Sequence, residues 1–332
     1  MKIKFLILAV LLGFSTIAQN INYKKDIKDN STKPKLMKKA PKKVFIRSFK
    51  LYFQMIAEGK TSKRGGRQLG GGSYKGKATA RLAVGVKGVS VAGLQELTNK
   101  MYAYYLKRLQ DEGLEVFTAA DLPKIKYFEG WEIINGPHVN EAQLKGYLMV
   151  VPEGFNYFVK KVTGKGKEKI GGVYQDKAYK ISKQLNDMIV ADVELFIPSI
   201  WLNASSSMLA NLGGAKVKGG PNLRLAAASF IKYQSGQFKI NAWPETSAIL
   251  TLKNDIPIEG VFAQQKFKAV ATQQRTTIPD YAAFFTVENV KVSITRYISC
   301  DEKTYVDKVG KAMQNYMDLT FNKLSNSLKG NK

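Results

Sequence analysis

From Phe49 the chain alternates in character. Phe49, Leu51, Phe53 and Met55 fall on one side of an extended segment, and Lys50, Tyr52 and Gln54 on the other. A period of two belongs to a half-buried strand, so order is expected to begin with a strand at Val44. Residues 81–86 read as a second strand. Ser90 then offers a cap for a helix whose Leu94, Leu97, Met101, Tyr105 and Leu109 recur at steps of three and four, and Gly113 suits its C-terminal stop. Residues 114–117 return to strand, completing a strand–helix–strand unit.

Further along, residues 147–151 and 155–162 read as strands around the turn Pro152-Glu153-Gly154. A second helix is expected over 175–188, with Ala178, Ile181, Leu185 and Met188 facing inward. Strands follow at 190–201 and 223–233, the latter pairing with 238–243 across a turn at Ser235-Gly236. More strands are expected at 249–252, 261–271 and 287–298. Ser299 and Glu302 match a capping box for a last helix. Its stripe of Val306, Val309, Met313, Met317, Leu324 and Leu328 reads as a core face, closed by Gly330. The fold class expected is mixed α/β (α+β): a mixed sheet flanked by helices, with a largely antiparallel, β-rich second half and a C-terminal amphipathic helix.

The ends of this pattern carry different information. Lys2 and Lys4, the apolar run from Phe5 to Phe14, and small residues at Thr16 and Ala18 form a secretory signal, assigned to residues 1–18. No cysteine stands near the cleavage position, so a lipoprotein is not expected. Residues 19–43 hold nine lysines against Asp26 and Asp29 with few large apolar side chains, which reads as a flexible basic arm. Residues 44–328 are then expected to form a single domain, with a point of subdivision near 172. After signal cleavage no stretch is long and apolar enough for a transmembrane helix; transmembrane β-hairpins give weaker signals and stay open.

Composition sharpens the choice of chemistry. The 332 residues include 52 Lys and Arg against 26 Asp and Glu, a net charge of +26. A single cysteine rules out an intramolecular disulfide framework and a cysteine-based zinc or iron–sulfur centre, and a single histidine rules out a multi-histidine metal site. No metal site, cofactor or catalytic residue is assigned. His138 sits in a turn-like stretch, Asn135 to Glu141. Cys300 precedes a helix start, where its thiol pKa could fall. Nothing in the spacing links the two into a nucleophile–base pair. Paired carboxylates distant in sequence keep one alternative open, a secreted enzyme acting on an acidic polymer.

The strongest chemical signal is basic. Residues 71–77, Gly-Gly-Ser-Tyr-Lys-Gly-Lys, come close to a phosphate-binding P-loop. Ala78 replaces the hydroxyl residue that holds magnesium, and a strand rather than a helix is expected next. The same passage remains a candidate anion site. No Asp or Glu occurs from Gly59 to Gln95, glycines let backbone amides approach an anion, and arginine forks suit phosphate, sulfate or carboxylate. The anion-binding residues assigned are Arg64, Arg67, Lys75, Lys77 and Arg81; a solvated loop between two strands is the competing reading. Tyr102, Tyr104 and Tyr105 with Lys100, Lys107 and Arg108 resemble a single-strand nucleic-acid surface, but they lie on a helix whose other apolar residues need a core, and export favours an envelope anion, so nucleic acid is not favoured.

Residues 109–116, Leu-Gln-Asp-Glu-Gly-Leu-Glu-Val, followed by Asp121-Leu122, resemble the helix-then-strand unit of the curli-secretion-channel family and its TolB-like relatives. The resemblance covers about a third of the chain. The family's lipidated cysteine is missing, and the Gly-rich insertion and long β-rich second half have no counterpart in it. It implies a non-catalytic, oligomeric component of a periplasmic or outer-membrane assembly. The expected function is therefore an exported envelope protein that binds an anionic polymer or lipid surface (lipopolysaccharide, acidic glycan or peptidoglycan) and forms a homo-oligomer. Charge reversal at Arg64, Arg67, Lys75 and Lys77 together is expected to weaken retention on anionic lipid vesicles at low salt. Unchanged retention would remove these residues from the binding surface.

Overall fold

The computed structural model describes residues 21–63, 78–170, 177–205, 215–240, 243–270, 283–287 and 290–331. The principal elements, in chain order, are β1 (Ile27–Asp29), β2 (Lys43–Gln54), β3 (Ile56–Lys63), β4 (Ala78–Lys87), α1 (Val91–Asp111), β5 (Glu115–Phe117), β6 (His138–Asn140), β7 (Tyr147–Val151), α2 (Ala178–Gln184) and β8 (Ile189–Ile197). They continue with β9 (Ile200–Ser205), β10 (Lys216–Pro221), β11 (Phe230–Ile240), β12 (Trp243–Leu252), β13 (Phe267–Val270), β14 (Arg296–Ser299) and α3 (Glu302–Lys329). The chain is mixed α/β, as its pattern implied. Among the described residues no helix is long and apolar enough to cross a membrane.

An eight-stranded mixed sheet forms the centre, in the order β1-β12-β11-β8-β2-β7-β6, with β5 also pairing to β2. Strand β2 runs parallel to β8 and antiparallel to β7. Helices α1 and α3 cover one face, where Phe49, Leu51 and Phe53 meet Leu94, Met101, Tyr105, Met313 and Phe321 in the main core. The other face is buried too. Lys50 is 1% exposed and Tyr52 5%, so the half-buried strand of the sequence pattern is covered on both sides. Near one end of that second face, Phe45 and Val190 pack against α2 and Phe128.

A smaller sandwich stands beside this body. The sheet β14-β4-β3 packs on the sheet β9-β10-β13 around Leu82, Val84, Ile200, Val217 and Ile298. The two layers approach closely at Gly59, where an added methyl would lie 2.9 Å from Val217 Cγ1. Pro198 directs the chain into this sandwich. It lacks the N–H that would continue β8, and the next two amides, of Ser199 and Ile200, instead donate to Gln54 Oε1 at 2.9 and 3.0 Å. The strand expected over 190–201 is therefore two strands in two sheets.

Other expectations shift for similar reasons. Ser235-Gly236 is not a turn: β11 runs through it to Ile240, which pairs with Trp243 of β12. The strand packs closely on α2 at this point: an added methyl at Gly236 would lie 3.0 Å from Lys183 Cγ, and the Gly236 amide donates to Ser182 Oγ of α2 at 2.8 Å. Helix α2 is shorter than expected, and Asn186 and Asp187 take positive φ just beyond it. The capping box is also displaced. Asp301 caps α3 by accepting from Thr304 N, while Glu302 accepts from the Ser90 hydroxyl at 2.6 Å and ties the starts of α1 and α3 together. His138 opens β6 rather than lying in a turn.

The basic arm is docked where it is described. Ile27 and Met37 are 4% and 0% exposed, β1 pairs with the edge of β12, and Lys323 binds Asp29 at 2.7 Å. Two apolar anchors and one sheet edge suffice, and the lysines stay outside. Met37→Ala should lower unfolding free energy by about 2 to 5 kcal/mol, whereas Lys28→Ala should change it by under about 0.5 kcal/mol. A free arm would make the two variants equal in chemical denaturation.

Candidate functional site

Of the five residues assigned to anion binding, Arg64, Arg67, Lys75 and Lys77 lie outside the described residues. Arg81 is on β4, opposite Lys60 of β3. Its guanidinium is not free: Nε donates to Glu58 Oε1 at 2.5 Å, and Lys145 approaches the same carboxylate at 3.7 Å. The acid that satisfies Arg81 lies just before the acid-free stretch. As the P-loop argument required, residues 78–87 form a strand and not a helix.

A second basic surface was not legible in the sequence. Strands β9, β10 and β13 pair side by side, and strand alternation sends Leu202, Val217 and Phe267 to the small core. The opposite face carries three rungs. Trp201 stands opposite Gly220; Asn203 opposite Lys218, which is opposite Lys268; and Ser205 opposite Lys216, which is opposite Val270. Asn203, Lys218 and Lys268 are exposed. The Lys218 charge, with some desolvation and the Lys268 charge, holds the Lys216 ammonium below its ordinary value. Among the described residues none of these three lysines pairs with a carboxylate. Like charges directly opposed across strands are destabilising. The available sequence signal was the K-x-K spacing of Lys216/Lys218 and Lys266/Lys268, but only the fold places the two segments on one face.

A cleft of about 370 Å³ opens on the far edge of the central sheet, lined by His138, Asn140, Glu141, Lys165 and Glu168 among others. Glu168 belongs to a short hairpin, residues 161–169, folded over the sheet's second face. Its Oε2 accepts from Lys50 Nζ at 2.9 Å and from the Tyr157 hydroxyl at 3.0 Å. Its Oε1 lies 3.0 Å from His138 Nε2 and accepts from Asn140 Nδ2 at 2.9 Å. Lys50 Nζ also sits 4.2 Å from the centroid of the Tyr157 ring. Burial opposes the charged carboxylate, but the hydrogen bond from His138, the Lys50 charge, and hydrogen bonds from Lys50 and Asn140 outweigh it and hold Glu168 at about 2. A carboxylate has about four acceptor positions, and here all four are taken. Glu168 thus clamps the hairpin to β2 and β6, and has no lone pair left for a substrate proton.

Cys300 corrects another expectation. Half-burial, with Asp301 and Glu302 beside it, pushes its thiol up to about 11 despite the helix that follows. Among the described residues no group of three or more His, Cys, Asp or Glu is placed to hold a metal ion. No family model, curated protein or solved structure matches this chain.

The clamp makes a pH prediction. Folded Glu168 titrates near 2 and the unfolded side chain near 4.5, so its contribution is complete above about pH 5 and lost as pH falls through 4.5 toward 2. The difference in stability between the native protein and Glu168→Gln should shrink across that window by up to about 3 kcal/mol. Lys50→Ala leaves a buried carboxylate without its cation and should cost about 3 to 5 kcal/mol. A pH-independent difference in denaturant titrations would contradict this assignment.

Proposed function

We propose that this is an exported, non-enzymatic envelope protein that binds an anionic polymer or surface and works as part of an oligomeric assembly. The observation that carries this reading is the register of Lys218 against Lys268, with Lys216 beside them and no described carboxylate in compensation. A fold stabilised only for itself gains nothing from that arrangement, whereas an anion placed over the face relieves it. The charge excess of the whole chain points the same way. Export, in the periplasm or at the outer membrane, rests on the signal pattern of residues 1–18. Lipopolysaccharide, acidic glycans and peptidoglycan are the anions available there. The assembly component rests on the resemblance at residues 109–122.

A secreted enzyme acting on an acidic polymer is the second reading, favoured by the presence of both Glu141 and Glu168 in the cleft. Glu168 weakens it as proton donor, because it is held ionised and fully bonded. The binding reading uses the lysines that have no carboxylate partner among the described residues, which the enzyme reading leaves unexplained.

Washed membranes from expressing cells provide the test. The protein should be retained at about 0.05 M salt and released at about 0.5 M, as screening shortens from about 14 Å to about 4 Å. The released material should have a native mass several times that of the chain. Lys218→Glu with Lys268→Glu should lower retention about tenfold, equivalent to about 1.4 kcal/mol. A monomer in the soluble fraction at low salt, or retention indifferent to salt and to the double variant, would overturn the proposal.

A further inference from the structure

Resting on the anion-binding reading, we infer that the outer face of β9, β10 and β13 is a binding site for an acidic polysaccharide. In this site Trp201 stacks on a sugar ring, the lysines of the next two rungs take its anionic groups, and Asn203 and Ser205 hydrogen-bond its hydroxyls.

The argument is one of composition and position. Rungs on a sheet face repeat about every 6 to 7 Å along a strand and about 4.8 Å between strands. Lys216, Lys218 and Lys268 therefore present three ammonium groups over the span of neighbouring charged units on a polymer. A single small anion would use at most part of this row. Trp201 is half-buried, and alternation points it away from the sandwich core that holds Ile200 and Leu202. Its rung partner on β10 is Gly220, which is itself buried. An added methyl at Gly220 would lie 3.1 Å from Trp201 Nε1 and 2.4 Å from the Gln265 carbonyl oxygen, so only glycine leaves the indole and the strand in this arrangement. The indole thus lies against the buried Gly220 backbone, at the head of the charged row.

Three features select a glycan over other polyanions. Asn203 and Ser205 on β9 flank the lysines of β10 and β13 with neutral hydrogen-bonding groups, which suit hydroxyls. An anionic bilayer would favour exposed large apolar side chains that insert among lipids, and on these rungs Val270 alone is exposed and aliphatic. Single-stranded nucleic acid is held by several aromatics stacking successive bases, and these rungs carry one.

Affinity electrophoresis of the full-length protein decides the matter. The probes are polygalacturonate and dextran sulfate, with dextran as the neutral reference, phosphatidylglycerol vesicles and oligothymidylate in parallel. Retardation by at least one charged polysaccharide and none by dextran is expected. Trp201→Ala should weaken polysaccharide binding about tenfold, about 1.4 kcal/mol, and leave vesicle binding unchanged. Trp201→Phe should retain most of the affinity. Should Trp201→Ala fail to fold, Asn203→Ala together with Lys268→Gln, both at exposed positions, should give a comparable loss. Polysaccharide affinity indifferent to all of these variants, or stronger binding to vesicles or oligothymidylate, would overturn the glycan site and leave general anion binding standing. Binding to none of the charged probes would overturn both.

Discussion

The Lys50–Glu168 pair is the interaction on which the second face of the central sheet depends. Strand β2 lies in the middle of the sheet and is covered on both sides, so each polar side chain it carries needs a partner. Lys50 finds Glu168, and Glu168 draws His138, Asn140 and Tyr157 around it. One buried carboxylate thereby fixes a hairpin, an edge strand and a central strand in a common position. Farther along the same face, a bulge opposes both Arg47 and Ser48 to Asp192. Arg47 takes Asp192 with two hydrogen bonds, and Ser48 donates to Glu194.

That internal use of acids explains where the basic surplus falls. Acidic residues are outnumbered two to one, and several are engaged in holding elements together: Glu168 and Asp192 beneath the sheet, Glu302 between helix starts, Asp318 with Tyr104 and Arg108 between helices, Glu58 beside Arg81. Lysines on the outer layer of the small sandwich have none in reach among the described residues. The body and the proposed binding face are thus coupled by supply: carboxylates that stabilise the interior leave the outer sheet positive.

The elements legible in the sequence were those governed by local rules. The Ser90 cap, the stripe on α1, the stop at Gly113 with its positive φ, and the buried stripe on α3 all follow from contacts within a few residues. Long-range packing decided the rest. Ser235-Gly236 has the composition of a turn, yet it lies inside a strand, where α2 packs closely against it and Ser182 accepts from the Gly236 amide. Lys50 reads as the solvent side of an alternating strand, and nothing nearby in sequence announces an acid 118 residues later. Met37 and Ile27 look like isolated apolar residues in a lysine-rich tail until the grooves that receive them exist.

The sequence by itself determined the fold class, the excess of positive charge, and the lack of a disulfide framework or multi-histidine metal site. These depend on composition and on periods of two and three to four residues. Only the tertiary structure decided which charges meet. Glu168 became a saturated clamp rather than a free acid, Arg81 acquired Glu58, and lysines 50 residues apart in the chain came to face each other across β10 and β13. Strand pairing is set by the burial of whole faces, so the register that opposes Lys218 to Lys268 is a property of the assembled sandwich and of no segment alone.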